Sequence, residues 1–172
     1  DAVKNKSVKY AYKLIMANYQ NYCNEMRILN IAHIIKNTDY FYFPLFLDWR
    51  GRFYTRTEYL SYQGNKIALS LIRFYDKKAF KIMGWQMFMI YGANIYGTKG
   101  SLETIIEFFK TKHDFIMNLD VSFLKNAKSP HLFISWAFEY RKAYNNNNPQ
   151  AFMSNYPVLV DLTCNGLQHI AA

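Results

Sequence analysis

Apolar side chains recur at helical spacing in the N-terminal part of the chain. Ala11, Ile15, Tyr22, Met26, Leu29, Ala32 and Ile35 are separated by three, four or seven positions, which places them on one face of an α-helix. The spacing predicts a single long amphipathic helix from about Val8 to Ile35. The pattern then changes. From Phe41 to Ile72, short aromatic runs are interrupted at Pro44, Gly51 and Gly64, and extended segments joined by turns are expected. Helical spacing returns at Ala79 and continues to Tyr96, where Gly97 supplies a residue suited to the left-handed helix end. Ser101 is placed to cap a further helix to about Asn118, with Glu103 favourably set in its first turn. Ser129-Pro130 caps and opens another, through about Tyr144, because proline is tolerated at the first helical position. Asn145-Asn146-Asn147-Asn148-Pro149 breaks that helix and reads as a solvated loop. Finally, Pro157-Val158-Leu159-Val160 is a short apolar run before a charge, as in a buried strand. The expected architecture is α+β and helix-dominated, with few strands and no internal repeat.

Composition narrows the class. The chain has 172 residues, enough to bury a core of domain size, and 19% of them are aromatic, with 15 Tyr and 14 Phe. A mean hydropathy of −0.20 and this aromatic content exclude a disordered chain. No apolar run approaches the roughly 20 residues that cross a bilayer, so no membrane span is expected. The net charge of +9 and a pI near 9.4 favour a polyanionic partner, nucleic acid or an anionic membrane surface. The plainer alternative is that the lysines keep an aromatic-rich protein soluble. Cys23 and Cys164 form neither a disulfide framework nor a metal-ligand spacing, and both read as free thiols. The start, Asp1-Ala2-Val3-Lys4, has no initiator Met and no apolar signal region. The end, Gln168 to Ala172, falls inside what reads as a helix start, so both ends are expected to be cut. His33, His113 and His131 stand alone in helical stretches and read as ordinary packed or surface histidines.

Two clusters carry candidate chemistry. In Pro44-Leu45-Phe46-Leu47-Asp48-Trp49-Arg50-Gly51-Arg52-Phe53-Tyr54, two arginines flank a glycine in an aromatic setting. Arginine presents fixed donors to phosphate oxygens, glycine permits close backbone approach, and tyrosine stacks on a base or bonds a phosphate. The structural alternative is a basic turn with Asp48 paired to a neighbouring arginine. The second cluster runs from Val158 to His169 and centres on Asp161. A carboxylate at the end of a buried strand is costly to desolvate without a partner, and Mg²⁺ is one such partner because it prefers carboxylate, carbonyl and water oxygens. The Leu162 carbonyl is a plausible second ligand, and Gly166 permits a tight turn into a helix bearing Gln168 and His169. The alternative is an aspartate that simply caps that helix.

Asp161-(x)4-Gly166-x-Gln168-His169 resembles motif A of the phage-type single-subunit RNA polymerases. Asp48-Trp49-Arg50-Gly51-Arg52-x-Tyr54 resembles the same family's template-contacting segment, together with Pro44 upstream and Gln63-Gly64-Asn65 downstream. Tyr91-Gly92-Ala93-Asn94 and Phe138-Glu139-Tyr140 also fall where that family has similar stretches. Four fixed positions of motif A arise by chance on the order of 10⁻⁵ times per start. The departures are Thr163 and Asn165 in place of the family's two serines, Leu162 where some members carry glycine, and an unusually apolar Leu45-Phe46-Leu47. They bear on the nucleotide pocket rather than on the family.

The resemblance implies part of the palm, with a palm insertion, of a right-hand polymerase that joins ribonucleoside triphosphates on a DNA template to give RNA. On it, residues 1–39 lead into the palm and 40–75 are palm carrying the template contact. Residues 76–150 are a helical palm insertion, and 151–172 return to the palm with motif A. Asp161 is then the first catalytic metal ligand, with the Leu162 carbonyl beside it, for one of two Mg²⁺ ions in the complete enzyme. Arg50, Arg52 and Tyr54 hold template, while Asp48, Gly166, Gln168 and His169 support the active site. The second metal aspartate and the fingers helix lie downstream in the family, so this chain is expected to be inactive without the remainder of the polymerase. An A-type DNA polymerase shares the palm aspartate, but Gly166-Leu167-Gln168-His169 resembles the RNA-polymerising branch. A decayed remnant that only binds nucleic acid is the alternative from another class. Abundant Lys, Asn, Ile, Tyr and Phe, whose codons are rich in A and T, point with the family's habit to a mitochondrion or a mitochondrial plasmid, with phage and plastid origins behind.

Overall fold

The computed structural model describes residues 2–159. They fall in two compact units, Asp1–Ile72 and Arg73–Ala172. Helices dominate, and the strands form two small antiparallel pairs, so the α+β expectation holds.

The first unit comprises helix α1 (Ala2–Ile35), a hairpin of β1 (Leu45–Leu47) and β2 (Phe53–Thr55), and helix α2 (Lys66–Leu71). α1 starts at Ala2 rather than near Val8, because the first residues contain no Gly or Pro to stop a helix that lacks apolar periodicity there. Its expected apolar face is only partly used. Ile28 is buried against Leu60, Ile67 and Ala68, with Ile31 and Ile35 beside it, whereas Ile15, Tyr22, Met26 and Leu29 are exposed. Within this unit only the last turns of the helix meet α2 and its flanks. α2 itself falls in the stretch expected to be extended. Six residues are too few for periodicity to register, and the signal is local: Asn65 caps the helix by accepting the Ile67 N–H at 3.0 Å.

The second unit pairs β3 (Lys78–Ala79) with β4 (Met153–Ser154) and packs helices α3 (Lys81–Tyr96), α4 (Leu102–Met117), α5 (Val121–Lys125) and α6 (Pro130–Asn145). α3 ends as expected, with Gly97 at φ +117° and its N–H bonded to the Ala93 carbonyl. Ser101 caps α4 by accepting the Thr104 N–H at 3.4 Å. Ser129 makes no capping bond, and α6 relies on Pro130 in its first turn. α5, too short for a periodic signal, is capped by Asp120, which accepts the Phe123 N–H at 2.8 Å. The asparagine run is exposed as a turn following α6.

Trp136, Tyr140, Phe88, Phe133 and Ile116 are the largest fully enclosed side chains. Trp136 donates its indole N–H to the Phe88 carbonyl at 2.9 Å. Gly92 lies against the same ring: a Cβ there would come within 2.3 Å of Trp136 Cε2 and Cζ2. At Gly92, therefore, α3 and α6 pack closely through a missing side chain. Pro157–Leu159, the described part of the expected strand, is not in a strand. Pro157 has no N–H to give a ladder, and the pairing falls earlier, at Met153–Ser154. Val158 still packs on the core.

Candidate functional site

The hairpin of the first unit is built around Asp48. One carboxylate oxygen, Oδ1, accepts the N–H groups of both Arg50 and Arg52 at 2.9 Å, and Oδ2 lies 3.3 Å from Arg50 Nε. The Asp48 N–H donates to the Arg52 carbonyl at 2.9 Å, the Gly51 N–H donates to the Asp48 carbonyl at 3.0 Å, and Gly51 sits at φ +76°. An L side chain resists that conformation, so glycine is required between the arginines. These bonds hold the Asp48 carboxyl below its ordinary pKa, chiefly through the Arg52 N–H; desolvation opposes it next, and the N–H and guanidinium of Arg50 add further lowering.

The far edge of β2 is closed by Gln63, whose Oε1 accepts the Thr55 N–H and whose Nε2 donates to the Phe53 carbonyl, both at 2.8 Å. Ser61 joins this bracing, with its hydroxyl 2.6 Å from that of Thr55. Asp48, Gly51, Gln63 and Asn65 thus shape the segment, which leaves the arginine side chains to face outward. Arg50 and Arg52 are exposed, and the Arg50 guanidinium lies 5.3 Å from the ring centroid of Trp49, itself 90% exposed. Tyr54 is half-buried and stacks on Phe46 across the hairpin at 5.7 Å, and Arg56 covers the Phe46 ring at 5.8 Å. Cationic forks and aromatic faces alternate along one short element, a surface suited to a phosphate backbone and unstacked bases. The structure brings Arg50, Arg52 and Tyr54 together. Trp49, quoted in the cluster without a role, and Arg56, which escaped the sequence reading, lie on the same hairpin. The signal for Arg56 was its two-residue offset from Tyr54, which returns it to the same strand face.

Asp161, Leu162, Gly166, Gln168 and His169 lie outside the described residues, as does Cys164. Among the described residues no group of three or more His, Cys, Asp or Glu side chains could hold a metal ion, and Cys23 carries a free thiol. His113 is a packed histidine, with Nδ1 2.9 Å from the Tyr140 hydroxyl.

In the second unit, Glu139 is buried beside Ser154, whose hydroxyl donates to Oε1 at 2.5 Å. Arg73 donates to the Ser135 hydroxyl at 2.5 Å and stands 4.6 Å from the Tyr156 ring centroid. Burial lowers the Arg73 pKa from its ordinary value and raises that of Tyr156. These groups surround the segment that leads toward Asp161.

The family model for DNA-dependent RNA polymerase matches residues 78–172. The chain belongs to the DNA-dependent RNA polymerase family. It is 36% identical over 156 residues, 88% of its length, to the "Probable DNA-directed RNA polymerase" of Gelasinospora sp. (strain G114). It is 38% identical over 147 residues, 84% of its length, to the protein of the same description from Neurospora crassa. Identity to "DNA-directed RNA polymerase 2, chloroplastic/mitochondrial" of Arabidopsis thaliana is 27% over 174 residues, 96% of the chain. The chain spans only 18%, 16% and 17% of these three curated relatives. Asp161 falls inside the matched range, and the arginine hairpin lies upstream of it in the sequence.

Proposed function

We propose that this chain is an internal segment of a DNA-directed RNA polymerase, contributing a template-contacting hairpin and the first metal-binding aspartate of the palm. The observation that carries this reading is the family match over residues 78–172, a range that includes Asp161-(x)4-Gly166-x-Gln168-His169. A carboxylate and a main-chain carbonyl are hard oxygen donors, so Asp161 and Leu162 suit Mg²⁺. Bound there, Mg²⁺ supplies charge stabilisation at the phosphoryl oxygens during nucleotidyl transfer. Arg50 and Arg52 grip template phosphates and Tyr54 backs them from the strand. Asp48 keeps the hairpin in shape, Gly166 makes the turn after the metal strand, and Gln168 and His169 support it. Residues 40–75 and 151–172 belong to the palm and 76–150 to its insertion. The partners are DNA template, ribonucleoside triphosphates, RNA product and the remainder of the polymerase chain. A mitochondrion is the compartment, consistent with the relatives named as mitochondrial.

One aspartate and one carbonyl are too few donors to organise two metal ions, so the 172-residue chain alone is inactive. The test is templated extension in Mg²⁺ or Mn²⁺: none is expected from this chain, and any would reject that reading. Mn²⁺ binding lost in Asp161→Ala supports the metal role, whereas undiminished binding removes it. The exposed arginine hairpin also favours a second reading, a remnant that only binds nucleic acid. That reading predicts DNA affinity indifferent to divalent metal and steeply dependent on salt.

A further inference from the structure

Glu139 is a carboxylate buried to 5% exposure. An enclosed carboxylate is costly unless it is hydrogen-bonded. Its bond goes to Ser154, 2.5 Å away, with Lys142 Nζ at 3.8 Å on the outer side. Because the Ser154 hydroxyl gives its proton to Glu139, its lone pairs face the chain ahead, and it accepts the Tyr156 N–H at 3.1 Å. The Tyr156 hydroxyl in turn donates to the Leu132 carbonyl at 3.3 Å, within the same helix α6 that carries Glu139. Between them, Asn155 is held on both sides: its carbonyl accepts the Phe74 N–H at 3.0 Å, and its side-chain amide donates to the Phe74 carbonyl at 2.8 Å. Arg73 closes the arrangement over the Tyr156 ring. Three consecutive residues are therefore tied to α6 and to the Arg73–Phe74 segment, a few residues before Asp161.

We propose that Glu139 is a positioning residue for Asp161: through Ser154 and Tyr156 it fixes the path of the segment that delivers the metal-binding carboxylate. The inference rests on the reading of Asp161 as a metal ligand. Groups that orient a ligand change metal affinity by about 10–100-fold when they are removed. They have little reason to alter template binding. Replacing Glu139 with glutamine keeps the shape but leaves a neutral amide oxygen to accept the Ser154 hydroxyl, a weaker acceptor than the carboxylate. Replacing Ser154 with alanine removes the relay with the loss of a single oxygen, which keeps the test open should the glutamine variant fold poorly.

The experiment uses the full-length polymerase that carries this segment, with Glu139→Gln, Ser154→Ala, their combination, and Asp161→Asn. The Mg²⁺ concentration for half-maximal extension is expected to rise about tenfold in each positioning variant. The double variant is expected to be no worse than either single. KM for nucleotide and template affinity stay within about twofold, and hydrogen exchange quickens at residues 153–159. An unchanged Mg²⁺ requirement in Glu139→Gln and Ser154→Ala, with Asp161→Asn inactive, overturns this inference alone. An Asp161→Asn enzyme with unaltered Mg²⁺ dependence overturns the metal reading and this inference with it. Unchanged exchange at 153–159 in Ser154→Ala overturns the relay itself.

Discussion

Gly92 shows how little room the core allows. Any side chain would drive a Cβ to 2.3 Å from the Trp136 ring, which is fully enclosed and cannot swing aside. Gly92→Ala is expected to destabilise the second unit by about 1–3 kcal/mol, the usual cost of overpacking, read as a lower midpoint in urea. Asp48 gives a test in pH. Its carboxyl titrates below its ordinary value because folded N–H groups bind the charged form. The stabilisation it gives is therefore complete above the unfolded pKa of about 3.9 and is lost as the pH falls through the lower folded value. The protection of the Arg50 and Arg52 amides, taken against their intrinsic exchange rates, is expected to fall across that acid range in the wild type. In Asp48→Ala, which has no side-chain acceptor, that protection is expected to be low already at neutral pH and to change little in acid. A flat wild-type profile would remove Asp48 as the organiser of the turn.

At the scale of elements, the hairpin is a rigid mount for outward arginines. Arg52 is exposed, and Asp48 binds its main chain rather than its guanidinium. Arg52→Ala is expected to weaken DNA binding without altering the fold and to lower the slope of log affinity against log salt by about one, as for the loss of one phosphate contact. Unaltered affinity would remove the template assignment. α1 is the contrasting element. It exposes Tyr10, Tyr12, Tyr19 and Tyr22, and Ile28 is its residue in the buried cluster of the first unit. Helices of this kind depend on packing more than on propensity. Its N-terminal turns are expected to exchange amide hydrogens faster than α3 or α6, which hydrogen exchange with mass spectrometry resolves.

The two units differ in what holds them. The first buries Ile28, Leu60, Ile67 and Ala68. The second encloses an aromatic lattice in which Trp136 stacks on Phe88 at 5.1 Å and on Phe133 at 5.4 Å and meets Tyr140 at 4.8 Å. Such pairs add about 0.5–1.5 kcal/mol each beyond burial. Progressive urea is therefore expected to release the first unit before the second. A single coincident transition in the Trp49 and Trp136 environments would contradict that order. Part of the high aromatic content of the sequence is this lattice, while the arginines of the hairpin carry the candidate chemistry of the first unit.

The sequence by itself determined the family, because its motifs are linear strings that can be read without a fold. It also determined the long helices, whose periodicity and caps are local: Gly97 and Ser101 act within one turn of themselves. It could not show that Gln63 braces β2, that Gly92 makes space for Trp136, or that Glu139 reaches Ser154. Each of these pairs residues far apart in the chain, and the reason for one member is visible only in the presence of the other. The same limit applies to Pro157–Leu159, expected in a strand: among the described residues the pairing falls at Met153–Ser154 instead. An apolar run reports burial, but which backbone groups ladder together depends on the partner strand, and that is decided in three dimensions.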